Sequence, residues 1–174
     1  GFLALHFAFW ITSLSYTSVA ASTALVTTNP VWVTLLGWWL FGERPSFLTL
    51  LGVGVALLGG VLIGLAHSEG GGGANPLLGD FLALLGAVAA SCYFLLGREA
   101  QRRGLSTWAY VRVAYTAAAL LLLPLPYLFG GGYGGYPLEV YAYLLFMALL
   151  PQLVFHPSFN WATRHIPPVL VTLA

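Results

Sequence analysis

Charge is what this sequence most lacks. Of its 174 residues 6% are charged, against about 25% in an ordinary soluble domain, while 59% are hydrophobic. A soluble globule would still need a polar shell, and here the few charges sit in short breaks between long apolar runs. The composition therefore points to a membrane protein. Basic tracts and aromatic-basic interleaving are also missing, and a net charge of +1 leaves nucleic acid without an electrostatic footprint. Cysteine occurs once, at Cys92, so no internal disulfide can form. No Cys/His ligand spacing occurs either, so neither a metal nor another cofactor is expected. HExxH, GxSxG and paired intramembrane carboxylates are absent, and all five acidic residues fall at or near loops, which argues against an enzyme. The chain opens on Gly1 with no basic region before its first apolar run, so no signal peptide is visible. The expectation is a fragment whose first helix begins upstream.

What the sequence does hold is a series of apolar runs, and roughly 20 such helical residues suffice to cross a bilayer. The expected fold class is all-α, a polytopic transmembrane helix bundle. Residues 1–15 form a short first run, followed by spans over 19–41, 47–66, 77–97, about 106–129 and about 138–162, with a seventh opening at Ile166-Pro167-Pro168. The glycine-rich stretch HSEGGGGAN marks a flexible linker, placed at 67–76, that divides the chain into units 1–66 and 77–174. REAQRRG, residues 98–104, reads as a basic loop and GGGYGGYP, residues 130–137, as a second flexible one. Gly52, Ala56, Gly60 and Gly64 recur every four residues in one span, and Gly79, Ala83, Ala87 and Ser91 in the next. Each series lines one helix face and predicts a close packing seam.

Charge orients the spans. If the turn Gly42-Glu43-Arg44-Pro45 is cytoplasmic, alternation puts Arg98, Arg102, Arg103 and Arg164 on the same side, as the positive-inside rule requires. The loops holding Glu69, Asp80 and Glu139 then lie outside.

Polar residues inside the apolar runs are the candidates for a site. In the second span Thr27-Thr28-Asn29-Pro30 interrupts the helix, because proline lacks an N–H and displaces the carbonyl four residues earlier, on Val26. Thr28, Asn29 and Pro30 are therefore expected near mid-membrane as a substrate contact or hinge, the plainer alternative being a kink whose carbonyl is capped locally. Gln152, His156 and Asn160 bring more polarity to the sixth span than lipid-facing packing would explain. Histidine could also exchange a proton, although a single intramembrane histidine is more often a hydrogen-bonded packing residue. Trp10 in the first run is a candidate cavity wall. These seven residues make up the expected substrate cavity, with no catalytic or metal-binding role among them.

The chain also matches itself weakly. At an offset of 149, Phe9–Leu25 lies over Ser158–Ala174, with Thr23 over Thr172 as the one identity. In both places one span ends, a very short turn follows and a small-residue helix begins, on opposite sides of the membrane by the charge count. Inverted repeats of this kind are a common transporter construction.

The small-residue entry YTSVAASTAL, the mid-helix proline, the closing GER turn, the later NWATRHIPPVLVTL and the segment GDFLALLGAVAASCYFLLGREAQRR together resemble the EamA-type part of the drug/metabolite transporter superfamily. The resemblance implies ten helices in two five-helix inverted repeats, of which this chain would hold the end of the third to the start of the ninth. It implies a secondary-active transporter, an exporter of small metabolites working by alternating access in a bacterial plasma membrane. The partners would be a small-molecule substrate and the lipid bilayer, with a homodimer left open. A non-transporting scaffold or sensor, and less readily a membrane-embedded enzyme, remain as alternatives.

Overall fold

The computed structural model describes residues 1–67 and 74–173. Among them the secondary structure is helical throughout: α1 (Phe2–Ser13), α2 (Val19–Val26), α3 (Asn29–Phe41), α4 (Phe47–His67), α5 (Pro76–Arg102), α6 (Thr107–Leu122), α7 (Leu125–Leu128), α8 (Leu138–Met147), α9 (His156–Ala162) and α10 (Pro168–Leu173), with a π-helical segment, Ala148–Phe155, joining α8 to α9. Four helical runs of the described residues are long and apolar enough to cross a membrane: Val19–Phe41, Pro76–Arg102, Thr107–Leu128 and Leu138–Ala162. Most of the linker expected at 67–76 lies outside the described residues.

Helix α5 is the centre of the bundle, and its most extensive partner is α1, with α3 and α2 next. Its predicted seam explains this. Gly79, Ala83, Ala87 and Ser91 are all buried, and a Cβ added to Gly79 would come within 2.7 Å of the Thr17 backbone nitrogen. Small side chains let the two backbones approach, and close approach is what packing in a bilayer rewards. The series on α4 is less uniform. Gly52 faces Leu173 and Gly60 faces the carbonyl of Ala24, whereas Ala56 is exposed and the surroundings of Gly64 lie outside the described residues.

The basic stretch 98–104 departs from expectation: α5 runs on through Arg102 before turning at Arg103 and Gly104. Arg, Glu, Ala and Gln are good helix formers, and Arg103 donates Nε–H to Glu99 one turn back at 2.8 Å, an i,i+4 pair that supports the last turn. The glycine-rich stretch 130–137 is likewise braced. Tyr133 donates its hydroxyl to the Leu123 carbonyl and Tyr141 donates to that of Tyr133, both at 2.8 Å, while Gly130 and Gly135 take the positive φ of 77° and 86° that the turn requires.

The junctions before α2 and α10 have the same geometry. α1 ends at Ser13 and α9 at Ala162, α2 begins at Val19 and α10 at Pro168, so both turns are displaced by the same 149 residues. Three backbone hydrogen bonds recur at that displacement: Ser15 to Thr12, Tyr16 to Ser13 and Thr17 to Ser13 in the first turn, Arg164 to Trp161, His165 to Ala162 and Ile166 to Ala162 in the second. The two turns sit at opposite ends of the bundle. Tyr16 accepts from the Asn75 amide at the start of α5, and Thr17 donates to Asp80 at 2.8 Å. Residues 163–167 instead stand near Arg98 at the other end of the same helix.

Candidate functional site

The break between α2 and α3 is confined to Thr27 and Thr28, and its backbone is satisfied from within. Thr27 donates its hydroxyl to Ala24 at 3.0 Å and Thr28 to Leu25 at 2.6 Å. With its amide nitrogen turned toward the neighbouring carbonyls, Asn29 donates to Val26 at 3.2 Å and to Ala87 at 2.9 Å. Three successive side chains thus cap three successive carbonyls one turn earlier. The Val26 carbonyl that proline displaces is therefore held by Asn29, which also ties the break to α5.

Beside this break lies a cavity of about 360 Å³ between α1, α2, α3, α5, α9 and α10, within the size range of small-molecule sites. Three of the expected residues line it, Trp10, Asn29 and His156, together with His6, Thr23, Tyr93, Phe94 and Thr172. Its wall is aromatic. His6 stacks on Trp10 with centroids 5.6 Å apart, and Phe94 stacks on His156 at 6.4 Å. His6 donates Nδ1–H to the Gly86 carbonyl at 3.0 Å, which fixes its ring and leaves Nε2 as its other polar atom. Trp10 Nε1 and His156 Nδ1 are buried without a hydrogen-bond partner among the described residues. Buried polar atoms are nearly always paired, so two unpaired ones on residues that line a single cavity call for an explanation that the neighbouring protein groups do not supply.

The other four candidates do not line that cavity. Thr28 is engaged with Leu25 and accepts from Trp32 Nε1 at 3.1 Å. Pro30 is fully buried against the core. Asn160, also fully buried, donates to the Tyr93 hydroxyl at 2.7 Å and to the His156 carbonyl at 2.8 Å, so it positions two cavity residues from behind. Gln152 contributes its carbonyl, which accepts from the Tyr115 hydroxyl at 2.6 Å. The π-helical register explains that bond. His156 N–H is taken by Pro151, the next N–H in register would come from Pro157, and proline has none.

Tyr93, Phe94, Thr23 and Thr172 were not singled out as site residues from sequence. A signal for two of them existed: Thr23 and Thr172 are the identity in the weak internal repeat, and both face this cavity. Tyr93 and Phe94 are hidden in an apolar run and pack with Leu3 and Ala4 of α1.

The EamA-like transporter family model matches residues 1–65 and 77–174, nearly the whole chain. A curated relative, the thiamine-repressible mitochondrial transport protein THI74 of Saccharomyces cerevisiae, is 35% identical over 120 residues, covering 67% of this chain and 32% of that protein. The chain therefore spans about a third of the length of the relative it matches. No solved structure matches it. With a family model covering both sides of the glycine-rich linker and a helical bundle of membrane-spanning length, this chain belongs to the EamA-like transporter family.

Proposed function

We propose that this chain forms the solute-binding core of a secondary-active exporter of small metabolites, working by alternating access between two inverted repeats that correspond to residues 1–66 and 77–174. The observation that carries the reading is the aromatic cavity with its two unpaired polar atoms, Trp10 Nε1 and His156 Nδ1. An indole N–H can only donate, so the solute it fits presents a hydrogen-bond acceptor beside an apolar or planar body. Thr23 and Thr172 supply hydroxyls from equivalent positions of the two repeats, and the matched turns at opposite ends of the bundle support the inversion. Asn29 and Pro30 hold the α2–α3 break beside the cavity, Thr28 closes it from the far side, and Asn160 and Gln152 fix the facing helix. The membrane proposed is the bacterial plasma membrane, with the second copy of a homodimer outside the solute path.

The test is solute counterflow with the full-length protein in proteoliposomes, screened across neutral amino acids, purines and quaternary amines. Saturable flux that falls in Trp10→Phe, Thr23→Val and Thr172→Val at unchanged protein levels supports the assignment. Flux untouched by all three removes the cavity from the mechanism, and ligand binding without flux favours a sensor.

A further inference from the structure

A second and larger concavity, about 630 Å³, opens at the end of the bundle where the turns before α4 and α10 meet the end of α5. Arg44, Arg98, Arg102 and Arg164 line it, and Glu43 is the carboxylate among its lining residues. Counting Glu99 as well, 3.9 Å from Arg102, two positive charges remain in excess. Arginines that only set orientation need merely stand among headgroups; they need not share one hollow, and none needs to be buried. Arg98 is buried, with a side chain 9% exposed. It is paired to Glu43 through Nη2 and covered by the Phe41 ring, 5.3 Å from Cζ, yet its Nε has no partner among the described residues. Arg44 and Arg164 are exposed and have no carboxylate within ion-pair distance among the described residues. The N-terminus of α4 adds to the field: Ser46 and Thr49 both line the hollow, and Ser46 accepts from the Thr49 amide at 3.1 Å, so the positive end of this long helix faces the same space.

We propose that this basin binds an anionic group of the phosphate type, carried by a free metabolite or by a lipid headgroup. Guanidinium groups match phosphate oxygens with paired, charge-assisted hydrogen bonds, and a doubly charged anion fits an excess of two positive charges better than a monocarboxylate does. The site is separate from the aromatic cavity and stands or falls independently of it.

The experiment uses full-length protein in phosphatidylcholine nanodiscs and measures binding of radiolabelled inorganic phosphate, with chloride at equal ionic strength as control. Because Arg98→Gln would strand Glu43, the diagnostic variant is the exposed pair Arg44→Gln with Arg164→Gln. Saturable binding that weakens about tenfold or more in the double variant is expected, since each charge-assisted bond is worth roughly that factor, while Trp10→Phe leaves it unchanged. Phosphate affinity equal in wild type and double variant, or an effect chloride reproduces, would overturn the proposal. Competition by phosphatidylglycerol added to the discs assigns the anion to a headgroup, and undisturbed phosphate binding in those discs assigns it to a free solute.

Discussion

Single residues divide here into those that face the cavity and those that hold them. Asn160 belongs to the second kind. Its side-chain amide joins the Tyr93 hydroxyl to the His156 carbonyl, and its backbone carbonyl accepts from Gln101 Nε2 at 3.0 Å, so α9 is tied to α5 through one buried residue, by its side chain and by its main chain. Asn160→Ala should lower the stability of the detergent-solubilised protein by roughly 1 kcal/mol, the scale of a hydrogen bond between membrane helices. A thermal unfolding curve would check it, and an unchanged midpoint would mean that Tyr93 finds another partner. Trp10→Phe should behave in the opposite way, leaving stability nearly intact and reducing flux. Sequence alone picked out Asn160 and Trp10 together as polar or aromatic intrusions into apolar runs. It could not tell them apart, because which side of a helix faces a cavity depends on neighbours as distant in the chain as Thr172 is from Trp10.

Helical elements were more legible than their irregularities. The seam on α5 follows from four small residues at a spacing of four, and its consequence is measurable. Gly79→Ala forces a methyl into the Thr17 backbone and should cost about 1–3 kcal/mol, as overpacking does, whereas Gly59→Ala, with nothing within 4 Å, should cost nothing measurable. Comparing the two unfolding midpoints isolates packing from helix propensity, since both changes replace glycine within a helix. The π-helical segment was not foreseen. Pro151 and Pro157 are visible in the sequence, but the register they impose, and the Tyr115 hydroxyl that serves the orphaned Gln152 carbonyl, require the fold of α6 against it. Tyr115→Phe should therefore destabilise by about 1 kcal/mol, and a loss as large as that from Gly79→Ala would mean that the segment repacks. The end of α5 was misread for a related reason: charge marks the water boundary, not the end of a helix, and Arg98–Arg102 satisfies both conditions at once.

At the scale of the whole molecule, alternating charge placed five arginines on one side, and four of them do line one basin. That sidedness predicts accessibility. In a full-length Cys92→Ala background, Glu139→Cys should react with a membrane-impermeant maleimide on intact cells, and Ser46→Cys should react only after permeabilisation; reversed labelling would invert the orientation. The units either side of the linker, by contrast, are not separate packing bodies. α1, from the first, makes its largest contact with α5, from the second. Together they span the bundle from Thr17 and Asp80 at one end to Arg98 at the other. If the proposed transport cycle tilts this closely packed pair about the aromatic residues at its middle, its two ends must swing in opposite senses, so widening the approach at Asp80 narrows the one beside Arg98.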